Sequence, residues 1–99
     1  MASTDIDVRD NPAANRFEVE VDGELAVADY TITPNAIMFR HTEAPKALEG
    51  RGIGKALVTA GLQAARDKGL KAIPVCTFFS GYMKKHPETH DLLHPDYPL

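Results

Sequence analysis

Three features of this chain predict a single α+β domain: alternation of apolar and polar residues from Phe17 onward, a glycine-rich turn at residues 50–54, and a helical apolar spacing that begins where the turn ends. Alternation marks a half-buried strand, and recurrence at three and four residues marks a helix with one apolar face. In order they give an antiparallel β-meander, a β-loop-α-β crossover and a short C-terminal helix. At 99 residues there is room for one modest core and not for two.

Each element follows from its residues. Met1 to Asn15 is polar and acidic with no apolar run, and reads as a flexible leader over 1–15 ahead of one domain over 16–99. Phe17, Val19 and Val21 alternate with Arg16, Glu18 and Glu20, and Asp22-Gly23 supplies hairpin chemistry before a second strand-like run from Leu25 to Thr33. Pro34-Asn35 makes the next turn, and Ile37 to Thr42 reads as a third strand. Beyond the glycines, Ile53, Ala56, Leu57, Ala60, Gly61 and Ala64 keep helical spacing, widened by Val58, Leu62 and Ala65, up to Gly69 at the place of a C-terminal glycine. That is a helix of about four turns at 3.6 residues per turn. Leu70 to Phe79 reads as a fourth strand, with Pro74 placing it at an edge or bulge because proline brings no N–H to a ladder. Ser80 would cap a second helix through Met83 to His86, stopped by Pro87, and Leu92 with Leu93 would pack back on the core from a turn-rich tail.

Composition excludes several classes. Eleven basic against fourteen acidic side chains, a net charge of −3, argue against a nucleic-acid binder that relies on counterion release. The single cysteine, Cys76, forbids an internal disulfide and fits a reducing compartment. No stretch approaches the ~20 apolar residues that cross a bilayer. The expectation is a cytoplasmic protein, monomer or weak homodimer, without nucleic-acid or membrane partners.

The chemistry centres on Gly50-Arg51-Gly52-Ile53-Gly54-Lys55. A glycine turn opening a helix presents unpaired N–H groups and a positive dipole end, and lets phosphate oxygens approach the main chain. Alone, the pattern reads equally as a flexible turn. Read with the meander before it, the strand after it and Tyr82 on the next helix, it resembles the GNAT superfamily of acyl-CoA-dependent N-acyltransferases, over most of the chain. The signature of that family is Gln or Arg, two residues, Gly, one residue, then Gly or Ala. Gly52 and Gly54 fit it; Glu49 stands at the Gln/Arg position, a departure, with Arg51 as the substitute cation. His41-Thr42-Glu43, Pro74-Val75-Cys76 and Tyr82 to Glu88 further resemble the minimal, YjdJ-type GNAT-like proteins. The resemblance implies a minimal GNAT-like fold, with acetyl-CoA as co-substrate. Its pyrophosphate would lie on Gly50 to Lys55 and its pantetheine along strand 37–43, Thr42 included.

Acyl transfer to an amine needs a route for the amine proton and an acid for the leaving thiolate. By position, His41 and Glu43 are candidate bases on one strand face; Glu43 also fits a solvated loop carboxylate, and His41 a sheet-face histidine bonded to its neighbours. Tyr82 falls where the family's acid tyrosine stands, and equally suits a core edge. Cys76 offers a thiolate that could carry the acyl group in two steps, or a small buried hydrophobe. His86 is imaginable as its base. The histidines at 41, 86, 90 and 94 include no short metal-ligand motif beyond His90-x-x-x-His94, so no metal is expected. The sequence therefore predicts an N-acetyltransferase acting on an unidentified amine, directly or through Cys76. The alternatives are a non-enzymatic acyl-CoA-binding or sensing module, and a protein-interaction domain whose glycine loop is only a turn.

Overall fold

A computed structural model describes residues 6–48, 52–97 and 99. One five-stranded sheet runs in the order β1 (Arg9–Asn11), β2 (Arg16–Val21), β3 (Glu24–Ile32), β4 (Ala36–Glu43), β5 (Lys71–Pro74). The first four strands are antiparallel to their neighbours, and β5 lies parallel to β4, from Ala36 opposite Lys71 to Phe39 opposite Pro74. Between them the crossover helix α1 (Ile53–Lys68) packs on the sheet, joined by α2 (Thr77–Lys85). This is the predicted α+β arrangement. Among the described residues no helix is long and apolar enough to cross a membrane.

Local chemistry accounts for the boundaries. Asp22 and Gly23 both take positive φ, 53° and 79°, in the two-residue turn between Val21 and Glu24, as an Asp-Gly hairpin requires. Gly69 ends α1 in the left-handed region at φ 68°, and the N–H of Leu70 returns to the Ala65 carbonyl. Leu92 is buried, and Leu93 bridges Ala72 in parallel, so the tail packs back against β5.

Three expectations are corrected. Residues 9–11 do not belong to a flexible leader: they form β1 on β2, with Ile6 and Val8 packed against the core, while residues 1–5 lie outside the described set. Among the described residues four strands therefore precede α1. The last strand stops at Pro74 rather than Phe79, and α2 starts at Thr77 with Cys76 as its N-cap, leaving Ser80 inside the helix. The reason is tertiary: Phe79 leaves β geometry to stack on Phe39, ring centroids 3.9 Å apart and planes within 10°.

The core is one cluster on one face of the sheet. Phe17, Val19, Ala26, Ala28, Tyr30, Ile37 and Phe39 meet Ile53, Leu57, Val58, Leu62 and Ala65 of α1 and Phe79 and Met83 of α2. Gly61 is set by this contact, since a Cβ there would lie 2.8 Å from Phe39 and 3.0 Å from Phe79. A helical glycine costs roughly 0.5–1 kcal/mol against alanine, and overpacking about 1–3 kcal/mol, so glycine wins.

Tyr30, 2% exposed, donates its hydroxyl to Asp10 Oδ1 at 2.6 Å and ties β1 to the core. Burial, then the Asp10 carboxylate, push its hydroxyl up to about 12 from an ordinary 10.0. The folded state holds this proton more tightly than the unfolded chain. Its contribution is therefore complete below pH 10.0 and fades as pH rises towards about 12. Urea midpoints measured across that window should fall more steeply for the wild type than for Tyr30→Phe; parallel curves would contradict this.

Candidate functional site

Two local events part the strands at the carboxyl end of the parallel pair. On β4, Asp29 pairs with His41 and Tyr30 with Phe39, which leaves Arg40 as an extra, bulged residue. The bulge shifts the alternation, so Thr42 follows Phe39 onto the core face and is buried. On β5, Pro74 brings no N–H to the ladder. The Val75 N–H bonds back to the Ile73 carbonyl at 3.0 Å in a tight turn, and the Cys76 N–H reaches the Phe39 carbonyl at 2.9 Å. Beyond that point residues 41–43 pair with β3 and not with β5.

Cys76 sits at this seam. It is 8% exposed, and its thiol donates to Thr42 Oγ1 at 3.2 Å. His41 and Glu43 share a face, as alternation predicts, and the bulge makes it the outer face. They are 60% and 73% exposed in their side chains, with His41 Nε2 3.4 Å from Glu43 Oε1.

A βαβ crossover starts its helix at the carboxyl ends of its strands, so α1 begins on the same side as the seam. Gly52 precedes α1 at φ 76°, a left-handed geometry costing other residues roughly 1–2 kcal/mol. Among the described residues no side chain caps this end, no acidic residue lies in its first turn, and nothing beyond its chain neighbours comes within 4 Å of where a Cβ on Gly52 would be. Backbone amides and the dipole there suit an anion. Of the predicted pyrophosphate residues, Gly50 and Arg51 lie outside the described set, as does the departing Glu49. Ile53 is buried in the core and would offer only main chain, whereas Lys55 is exposed. At Gly54 the missing side chain makes room for Phe78, whose Cε1 would lie 2.9 Å from a Cβ.

Tyr82 goes elsewhere. Its ring stacks on His86 at 3.9 Å, and it lines a cavity of about 180 Å³ with Leu62 and Arg66 of α1 and Glu88 and Leu92 of the following turn. His86 Nδ1 lies 3.1 Å from Glu88 Oε2. The Glu88 carboxyl is held below its ordinary range by its own backbone N–H and, more weakly, by His86. The candidate residues thus form three pairs: Cys76 with Thr42, His41 with Glu43, and Tyr82 with His86. Among the described residues no group of three or more His, Cys, Asp or Glu is placed to hold a metal ion.

Sequence reasoning missed Phe78, half-exposed beside the start of α1. Its only signal was the apolar pair Phe78-Phe79, which a single strand would have divided between its two faces.

Residues 16–92 match the family described as GCN5-related N-acetyl-transferase. Protein NATD1 of Gallus gallus is 34% identical over 92 residues, covering 90% of this chain and 84% of that protein. NATD1 of Mus musculus is 36% identical over 75 residues, 73% of this chain and 68% of the mouse protein. In three dimensions the chain resembles a GCN5-like protein of Staphylococcus aureus solved by NMR, with a TM-score of 0.71 at 27% identity, covering 93% of this chain and 91% of that one. With the parallel strands, the crossover helix and the match over residues 16–92 in agreement, the chain belongs to the GCN5-related N-acetyltransferase (GNAT) family.

Proposed function

We propose that this protein binds acetyl-CoA across the start of α1 and the seam between β4 and β5, and transfers the acetyl group to an amine through Cys76. One observation carries the reading: the parallel strands part on the side where α1 begins, a helix start that no described side chain caps, with the sole cysteine of the chain at the point of parting. The amides from Gly52 to Lys55 hold the pyrophosphate, with Gly50 and Arg51, which precede them in sequence, as further contacts. The free edge of β4 at 40–43, Thr42 included, receives the pantetheine.

In this reading Cys76 Sγ attacks the thioester carbonyl, forming a new C–S bond as the bond to the CoA sulfur breaks. The thiol proton leaves with the departing CoA. Thr42 accepts from the thiol and, because its hydroxyl rotates, turns to donate to the thiolate. The amine then attacks the acyl-cysteine, the new C–N bond forming as the C–S bond breaks, and the proton it gives up is relayed, by solvent or by way of His41 and Glu43, to the leaving Cys76 sulfur, which restores the thiol. Tyr82, facing the α1 cavity, has no step in this sequence. That placement favours the second reading, acyl-CoA binding without transfer.

Calorimetry tests the shared premise. Acetyl-CoA should bind and raise the melting temperature, by linkage about 2.7 kcal/mol of stabilisation at a hundredfold excess over Kd. Gly52→Asn keeps a residue that tolerates the left-handed region but sets a side chain over the amides. It should weaken binding about tenfold, or 1.4 kcal/mol. A folded wild type giving neither heat nor a melting shift would overturn both readings.

A further inference from the structure

Phe78 and Phe79 are neighbours with opposite fates. Phe79 is fully buried against Phe39, while Phe78 is 47% exposed and forgoes about half the gain of burying an aromatic ring. Its place is not accidental to α1: the ring fills the space left by Gly54, with Cε1 2.9 Å from where a Cβ would be. An aromatic ring therefore rests on the first turn of the helix whose start would hold phosphate. Val75, 57% exposed, adds apolar surface just before Cys76. The first turn brings Lys55 and no acidic side chain. A π-surface joined to a cationic, amide-lined end matches a ligand that carries a flat ring next to phosphates, and the acyl-CoA of the preceding section has one at its nucleotide end.

We infer that Phe78 is the stacking platform for the purine of the bound acyl-CoA, and so a residue that favours the whole nucleotide over its phosphopantetheine half. This rests on the acyl-CoA reading, and the test separates the two. Affinities are measured for acetyl-CoA and for S-acetyl-4′-phosphopantetheine, which keeps the thioester and one phosphate but lacks the base. Stacking of a base on an aromatic side chain contributes roughly 1–3 kcal/mol, about 5- to 150-fold in affinity.

Wild type should prefer acetyl-CoA. Phe78→Ala should lose 5-fold or more of acetyl-CoA affinity while binding the phosphopantetheine thioester as before. Phe78→Leu, which keeps apolar bulk and guards against a folding defect, should behave like the alanine variant, and Phe78→Trp should restore the preference. If wild type binds acetyl-CoA and Phe78→Ala binds it equally well, the platform is overturned and the acyl-CoA reading stands. An equal loss for both ligands in Phe78→Ala and Phe78→Leu would also overturn it, since the ring would then only support the phosphate site. If wild type binds neither ligand, the acyl-CoA reading itself falls.

Discussion

Phe79→Ala should cost about 3–5 kcal/mol, the range for removing a buried aromatic ring. The site has little freedom to collapse. Phe79 lies flat on Phe39 at 3.9 Å, both rings are fully buried, and α1 already presents its smallest residue, Gly61, to the pair. The void would open between α1, α2 and β4, where the helices hold the sheet. A small domain commonly has about 5–15 kcal/mol of stability, so the variant would retain little margin. The measurement is the urea midpoint, with an unchanged dependence of stability on denaturant. A loss below about 1.5 kcal/mol, the scale of a volume-conserving swap, would mean that the stack is not the joint between helices and sheet.

The same stack shows what could be read from the sequence. α1, its closing Gly69 and the Asp22-Gly23 turn were legible because their determinants are local: apolar spacing, a left-handed glycine, a residue pair suited to positive φ. The start of α2 was not. Thr77, Phe78 and Phe79 are good strand formers, and only the pull of Phe79 onto Phe39, forty residues earlier, makes them helical. β1 was missed for a similar reason: Arg9, Asp10 and Asn11 are polar, and their strand exists through pairing with β2 and the Tyr30 hydroxyl on Asp10.

In the candidate site, Cys76 could be placed beside strand 37–43 from the order strand, loop, helix, strand. The outward turn of His41 and Glu43 could not, because it depends on the Arg40 bulge. The side taken by Tyr82 depends on where α2 begins, and that boundary was itself tertiary.

The second large effect concerns Cys76. If the acyl end of the substrate reaches it through the seam, the thiol should become acetylated whenever no acceptor amine is present. The surroundings support this in two ways. The backbone N–H of Cys76 is pinned to the Phe39 carbonyl at 2.9 Å, which fixes the residue at the point where β4 loses its neighbour. Its thiol is held by a hydroxyl that serves either protonation state, Thr42 Oγ1 at 3.2 Å. A cysteine 8% exposed is otherwise guarded from bulk reagents, so labelling by acetyl-CoA in preference to a small, non-CoA thioester would report delivery through a binding site. Thr42→Val should slow the labelling without abolishing it, by removing the partner and keeping the shape.

Transfer through Cys76 means that the acetyl group is handed to this thiol at the seam between β4 and β5. Intact-protein mass spectrometry after incubation with acetyl-CoA, before and after hydroxylamine, tests it most directly, because hydroxylamine cleaves a thioester and spares an amide. One hydroxylamine-sensitive acetyl group is expected on the wild type and none on Cys76→Ala. A wild type that binds acetyl-CoA yet stays unmodified, or equal labelling of the two proteins, would contradict it.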